Sequence, residues 1–308
     1  MCHRRMAIVV SIPSVEELDA VVHALREWQD DAAPLQLHPG DVGWFWRFGD
    51  RAVSAAIRTW RRDGSLLAVG LLDGADLLRV AFAPGACDDD DLARHITADV
   101  VDPARGVLPA GEVSVESPTG SVLHGVLGRE GWPEGDPWTV LRRDLTEPVE
   151  SVGSLDVRIE VVGPAQAEAW AAVQRSAFAN PHAGVERWHA MAAGVPYDDA
   201  RSVLAFDPQG NAVASAAVWS AGPGRPGILE PMGVHADHRG RGHATAITLG
   251  AAAALRDLGA ASAMVATPSA NVGAVAAYVS AGFERLPERY DRTRPANPSS
   301  PGDPLDMQ

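Results

Sequence analysis

Residues 234–244 read Val-His-Ala-Asp-His-Arg-Gly-Arg-Gly-His-Ala, and this stretch decides the fold. The sequence predicts an apolar strand before it, over Ile228–Val234, and a long alanine-rich helix after it, over Gly242–Leu258. A loop rich in glycine and arginine at such a junction points several backbone N–H groups into one concavity, beside the positive end of the helix. The stretch therefore predicts a pyrophosphate site that requires neither a lysine nor a metal.

The loop differs from the common nucleotide-binding patterns. It contains neither the G-x-G-x-x-G of dinucleotide-binding domains nor the lysine of a phosphate-binding P-loop. All 26 basic residues of the chain are arginine, so a lysine nucleophile or Schiff base is excluded as well. Dehydrogenase and kinase functions are thereby disfavoured.

Two motifs carry a family resemblance. Val234–Ala244, with Arg239 and Gly242 at its centre, resembles the acyl-CoA-binding motif of the GCN5-related N-acetyltransferases (GNAT). The segment from Asn271 to Phe283, which includes Tyr278, resembles the second motif of the same family. Both motifs stand in the family's order, each at a predicted strand–helix junction, and the resemblance covers about residues 155–292.

The resemblance implies a reaction and a set of site residues. It implies acetyl-CoA as co-substrate, no metal, and direct acetyl transfer to an amine. The strand ending at Val234 would pair with the pantetheine arm, and Asn271 would bond it. Tyr278 would protonate the departing CoA, and Glu230 is the candidate base for the incoming amine. Backbone amides would hold the pyrophosphate at Arg239, Gly240, Arg241, Gly242, His243 and Ala244.

The predicted strand before the loop contains unusual residues. Pro231 and Gly233 lie inside it, and a proline inside a strand indicates a bulge or a sheet edge. The resemblance implies a CoA site where two parallel strands separate, and a bulged strand fits this. Ala236 stands where the family often has proline.

The length of 308 residues favours two domains. A short polar segment over residues 146–154 suggests the boundary, with units at 1–150 and 151–292 and a disordered tail at 293–308. Shifted back by 151 positions, the second unit repeats the predicted element order of the first. We therefore predict an α/β (α+β layered) protein of two tandem GNAT-like domains, each a mixed central sheet flanked by helices, similar to tandem members such as mycothiol synthase.

The first copy lacks the motif residues. Under the same shift, Asp88 and Asp91 replace Arg239 and Gly242, and these aspartates belong to a run of four that would repel a pyrophosphate. Gly120 and Leu127 replace Asn271 and Tyr278. The first domain is therefore expected to have the fold without a cofactor site, to support the second and to help wall the acceptor pocket.

Composition limits the possible partners. The net charge is −14, and nucleic-acid binding needs a basic surface, so that function is disfavoured. Cys2 and Cys87 form neither a disulfide framework nor a metal cluster, and the apolar run Met6–Val10 is too short for a signal sequence. We expect a cytoplasmic monomer or homodimer that binds no membrane and acts on a small-molecule or peptide amine.

Alternatives remain at this level. The chain is an acyltransferase, a non-catalytic acyl-CoA-binding sensor or a purely structural tandem domain. The three loop histidines, His235, His238 and His243, are predicted to be solvated rather than metal ligands. The aromatic run Trp44–Trp46 belongs either to a core or domain seam or to the acceptor pocket.

Overall fold

The computed structural model describes residues 7–149, 156–180, 182 and 184–296. Strands and helices alternate in two similar series along the chain. The strands are β1 (Ile8–Ser11), β2 (Ile57–Arg62), β3 (Ser65–Leu72), β4 (Leu77–Phe82), β5 (Val113–Glu116), β6 (Glu134–Asp144), β7 (Arg158–Val161), β8 (Ala200–Phe206), β9 (Ala212–Ser220), β10 (Pro226–Val234), β11 (Ser262–Pro268), β12 (Glu284–Arg285) and β13 (Arg289–Arg294). The α-helices are α1 (Leu18–Glu27), α2 (Pro39–Phe45), α3 (Asp50–Ala56), α4 (Asp90–Val101), α5 (Val122–Arg129), α6 (Ala167–Phe178), α7 (Val185–Ala192), α8 (His243–Asp257) and α9 (Val272–Ser280).

The described strands form one mixed sheet. Its order is β1-β2-β3-β4-β5-β13-β6-β11-β10-β9-β8-β7, and β12 pairs with β6. The two ends of the sheet mirror each other, because each contains three antiparallel pairings followed by one parallel pairing, β4 with β5 and β10 with β11. The predicted α/β fold with two similar units and mixed sheets is confirmed.

The two halves exchange strands at the centre of the sheet. β13, from the end of the chain, pairs with β5 of the first half, and β6, from the first half, pairs with β11 of the second. This exchange covers the edges that β5 and β11 would otherwise expose, and strand edges need such cover. Residues 150–155, where we predicted the boundary, lie outside the described residues, and the division at residue 150 stays a prediction.

The disordered tail that we predicted, residues 293–308, begins too early. Thr293 and Arg294 belong to β13, where they pair with Ser114 and Val113. The Arg294 guanidinium also donates to the carbonyl oxygen of Val101, at 3.1 Å. These contacts explain why the strand extends past residue 292. Residues 297–308 lie outside the described residues.

Helices cover both faces of the sheet. In the first half, α1, α2 and α3 pack on one face and α4 and α5 on the other. In the second half, α6 and α7 lie on one face, and α8 and α9 lie on the other. Alternate residues of each strand enter opposite cores, as the two-residue period of a strand requires.

One helix of the first half forms against its local sequence preference. Residues 34–50 are rich in proline and glycine, yet they contain α2, and residues 51–60 change from α3 to β2. The glycines of α2 do not favour a helix, but they let it lie against Trp219 of the second half. A Cβ atom on Gly43 would lie 2.3 Å from that indole ring. Tertiary packing thus overrides the local preference.

Candidate active site

The strands β10 and β11 separate after a short parallel pairing. They pair from Pro226 to Ile228, and both continue without pairing to each other beyond that point. The register of β10 against β9 also shifts between Leu229 and Met232, so β10 carries the predicted bulge. The separation leaves a wedge-shaped gap between the strands, into which backbone groups of β10 can point.

The arginine- and glycine-rich loop lies at the end of β10 and leads into α8. Gly240 and Gly242 adopt φ values of +73° and +81°, a region that favours glycine. Gly242 caps the 15-residue helix without a side-chain hydrogen bond, so the first N–H groups of α8 have no side-chain acceptor. The Arg239 guanidinium is bonded to the Ala177 carbonyl oxygen at 2.8 Å. The loop therefore offers backbone donors to an anion at the positive end of a long helix.

The remaining predicted residues of this loop differ in exposure. Val234 and Ala244 are half-buried, Arg241 is exposed, and His243 is 8% exposed as the first residue of α8. The expectation that His243 is solvated is therefore wrong, because it packs into the first turn of the helix. Among the described residues no group of three or more His, Cys, Asp or Glu could hold a metal ion.

Glu230 occupies the bulge of β10 and faces a charged network from the first half. Arg79 of β4 lies at its centre, 3.7 Å from the Glu230 carboxylate and 3.0 Å from both Asp41 and Glu116. Burial raises the pKa of Glu230 to about 8, and the neighbouring Asp41 carboxylate adds to this, while Arg79 opposes it. The carboxyl group is therefore protonated more often at neutral pH than that of an ordinary glutamate.

The other carboxylates around Arg79, except Glu116, also have raised pKa values. Burial raises the pKa of Asp41 and Asp73, and it raises that of Asp291 to about 6. Burial would also raise the pKa of Glu116, but the guanidiniums of Arg79 and Arg289 hold it below its usual value. The network thus combines an ionised ion pair with carboxyl groups that can take up protons near neutral pH.

Tyr278 and Asn271 lie on either end of α9. Tyr278 is 5% exposed and packs against Phe283, with 5.9 Å between the ring centroids. Burial raises the pKa of its phenol above the usual value, and the charge of Glu230 adds to this. Asn271 is exposed and caps α9, accepting a hydrogen bond from the Ala274 N–H at 3.3 Å. Its amide N–H₂ group is left for another partner.

One cavity of about 380 Å³ brings these residues together. Glu230, Asn271 and Tyr278 all line it, although they are widely spaced in the sequence. Its walls include the separated parts of β10 and β11, and Arg79 and its carboxylates close the side toward the first half. Sequence reasoning expected the first half to help wall the acceptor pocket, but it did not identify Arg79 or its carboxylates. Arg79 and Glu230 do stand 151 positions apart, so the repeat offered a signal, because equivalent strands of two packed copies can meet.

A second cavity of about 390 Å³ adjoins the first. Phe178, Glu230 and Pro231 line both of them. Trp44 of the first half lines this second cavity, whereas Trp46 is 7% exposed and belongs to the first-half core. The aromatic run therefore divides between a core, which contains Trp46, and a cavity wall, which contains Trp44.

The comparisons with known proteins agree with this geometry. Residues 168–283 match the model of the acetyltransferase (GNAT) family. A solved tandem GNAT protein from the clavulanic acid biosynthesis pathway, without AcCoA, superposes with a TM-score of 0.61 and 16% identity, over 95% of this chain and 100% of that one. Residues 168–283 of the second half therefore match the GNAT family, and the resemblance of the chain to tandem members is confirmed at the level of the fold.

Two further solved structures share the fold. A GCN5-related N-acetyltransferase from Sphaerobacter thermophilus has a TM-score of 0.55 and 18% identity, over 93% of this chain and 95% of that one. A GNAT-family acetyltransferase from Colwellia psychrerythraea has a TM-score of 0.55 and 16% identity, over 94% and 99% of the two chains. Identities this low show a common fold and leave the substrate open. No curated protein sequence matches the chain. Within the described residues, every helix is too short or too polar to cross a membrane.

Proposed function

We propose that the second half transfers an acyl group, acetyl in the simplest case, from acyl-CoA to an amine. The observation that carries the proposal is the position of the gap between β10 and β11. It opens beside the α8 N-terminus, where side-chain caps are missing, and it leads to the cavity that Glu230 and Tyr278 line. A long thioester substrate needs an anion site, an extended channel and a reaction centre in this order.

The local geometry supports the following binding roles. The backbone N–H groups of residues 239–244 would hold the pyrophosphate, and those of β10 up to Val234 would pair with the pantetheine amides. The Asn271 side-chain N–H₂ would donate to the same arm. A backbone N–H of β10 near the bulge would polarise the acyl carbonyl.

Two side chains would move the protons. The Glu230 carboxylate takes one proton from the incoming ammonium, and the free amine then attacks the thioester carbonyl. A C–N bond forms and the C–S bond breaks, and the sulfur takes the Tyr278 proton. The phenolate regains its proton from the amide nitrogen, so one net proton is released. The Tyr278 phenol carries its proton at neutral pH and is available as a donor. Burial raises its pKa, so the transfer depends on the negative charge that develops on the departing sulfur.

Calorimetric titration with acetyl-CoA tests the binding site. Gly240→Glu would place a carboxylate in the loop, and Gly64→Glu is the matched control. Both glycines have positive φ, +73° and +78°, and neither has an atom within 4 Å of an added Cβ. We therefore expect a similar loss of stability in both variants, roughly 1–2 kcal/mol. Only Gly240→Glu should lose acetyl-CoA affinity, by about 100-fold or more.

The outcomes separate the candidate functions. Binding in the wild type and in Gly64→Glu, together with thiol release when a library of amines is added, supports the acyltransferase. Binding without thiol release from any amine supports the acyl-CoA sensor instead. The proposal fails if the wild type does not bind acetyl-CoA, or if Gly240→Glu binds it as tightly as the control does.

A further inference from the structure

The second cavity is built by both halves of the chain. Trp44, Arg47 and Phe48 come from α2 and the turn after it, whereas Arg187 and Trp188 come from α7. The lining thus includes five aromatic rings, with two guanidinium groups among them. Such a wall suits a ligand that has an apolar body and at least one anionic group.

The two arginines have aromatic partners. The Arg47 guanidinium lies 4.0 Å from the Trp44 ring centroid and 4.4 Å from that of Phe48, and it donates to the Trp44 carbonyl oxygen. The Arg187 guanidinium lies 4.8 Å from the centroid of the same Phe48 ring. Among the described residues, no carboxylate forms a salt bridge with either of them. Ring stacking fixes both guanidiniums while most of their N–H groups stay available for a planar anion.

Glu230 sits at the junction of the two cavities. Its carboxyl group lines both, and it is the one acidic group among the described residues that line the second cavity, whose cations are Arg47 and Arg187. Burial lowers the pKa of Arg47 to about 10, and Asp73 and Glu230 oppose this, so Arg47 stays charged at neutral pH. The cavity therefore has a proton-accepting carboxyl group at the reaction centre and a positive end among the aromatic rings.

We propose that this cavity binds the acceptor, and that the acceptor is an amine that also carries a carboxylate and an apolar or aromatic body, as an amino acid does. Its ammonium lies at Glu230, its carboxylate at Arg47 and Arg187, and its body between Trp44 and Trp188. This inference rests on the proposed acyl transfer. It also assigns the first half a role in choosing the acceptor.

Two matched pairs of amines test the acceptor class. L-phenylalanine is compared with phenethylamine, and L-leucine with 3-methylbutylamine, so that each pair differs only in the carboxylate. Thiol release gives kcat and KM for each amine. A titration of tryptophan fluorescence, with CoA at saturation, measures binding independently of turnover, because Trp44 and Trp188 line the cavity.

The variants Arg187→Met and Arg47→Met remove one guanidinium each, and Arg129→Met, at an exposed arginine that lines neither cavity, is the control. In the wild type, at least one amino acid should bind about 10- to 100-fold more tightly than its decarboxylated partner. Each cavity variant should bring that ratio of affinities close to one. It should do so by raising the KM of the amino acid with little change in kcat. Arg187→Lys should restore part of it.

The inference is overturned if neither amino acid changes the fluorescence, or if phenethylamine and 3-methylbutylamine bind as well as the amino acids. It is also overturned if the ratio survives in both Arg187→Met and Arg47→Met. Acetyl-CoA affinity, measured in the same preparations, separates this failure from that of the proposed function. All variants should bind acetyl-CoA like the wild type, and a wild type without that binding defeats the proposed function itself.

Discussion

The two halves have the same parallel pairing, β4 with β5 and β10 with β11, but they differ beyond its end. In the first half the chain itself bonds to β4 beyond the pairing, because the N–H of Leu37 donates to the Val80 carbonyl oxygen and the Gln36 side chain accepts from the Phe82 N–H. β5 ends at Glu116, where its pairing with β4 ends. In the second half the corresponding gap beside β10 lines the cavity with Glu230.

The helices after these strands show the same contrast. At α4, the Asp89 carboxylate accepts from the N–H groups of Asp91 and Leu92, and Arg62 pairs with it at 2.7 Å. At α8 the capping residue is Gly242, which offers no side chain. The first half thus fills both places itself, with residues 36–37 beside β4 and the Asp89 carboxylate at α4. The second half leaves the equivalent places beside β10 and at α8 open to a ligand. Two copies of one fold can therefore differ in function through a few loop residues.

The largest expected effect concerns the proton donor. Tyr278→Phe removes the phenolic hydroxyl. The equivalent residue of the first half, Leu127, has no hydroxyl. We expect kcat for acyl transfer to fall by about 100-fold or more, since a general acid typically contributes that much. Acetyl-CoA affinity, measured by calorimetry, should stay within about threefold.

Tyr290→Phe is the control, because that hydroxyl contacts Glu288 and does not line the cavity. If Tyr278→Phe keeps the wild-type kcat, the proton does not come from this tyrosine, and the two halves differ only in binding.

The next effect is a pH dependence of kcat. It concerns Glu230, whose equivalent position in the first half is occupied by Arg79. Burial raises the pKa of Glu230 to about 8, so the fraction of carboxylate rises roughly tenfold between pH 7 and pH 9. The kcat should rise over the same range in the wild type. Glu230→Gln should be slow and lack that rise, whereas Glu284→Gln, at an exposed strand residue, should keep it.

The same pKa has a consequence for stability. A carboxyl group whose pKa is higher in the folded chain stabilises it fully below the unfolded pKa, and this contribution is lost as the pH rises through about 8. The melting temperature of Glu230→Gln relative to the wild type should therefore be higher at pH 9 than at pH 5. A difference that does not change with pH contradicts the raised pKa.

A smaller effect concerns the helix cap that distinguishes α4 from α8. Asp89→Ala should lower the free energy of unfolding by about 1 kcal/mol at pH 7, and Asp90→Ala, at an exposed first-turn residue, should change it much less. Arg62 and two backbone N–H groups lower the pKa of Asp89 to about 2, so its contribution is present above about pH 4 and fades as the pH falls toward 2. Urea unfolding at pH 7 and pH 3 measures this difference. Acetyl-CoA affinity should not change in either variant.

The smallest effect separates two roles of Asn271. Asn271→Ala removes the cap of α9, and Ser121→Ala removes that of α5, its counterpart in the first half. Both should cost about 1 kcal/mol of stability by urea unfolding. Only Asn271→Ala should also weaken acetyl-CoA binding, by a few-fold. Equal affinities in the two variants would leave Asn271 with the capping role alone.

The sequence by itself determined the local parts of this protein. The strand–loop–helix around residues 234–244, the bulge at Pro231 and the repeat are all expressed in short-range periodicity, strand-breaking residues and spacing. For the same reason the candidate site residues could be named from two motifs, with Glu230 added from the strand before the first motif, and the cavity brings Glu230, Asn271 and Tyr278 together.

Only the tertiary structure decided the contacts between the two halves. The exchange of β6 and β13, the docking of α2 on Trp219, the contact of Arg79 with Glu230 and the composite aromatic cavity all join residues that are far apart in the chain. Such contacts leave no periodic signal in a single sequence, because their energy comes from packing and burial between distant elements and not from local preference.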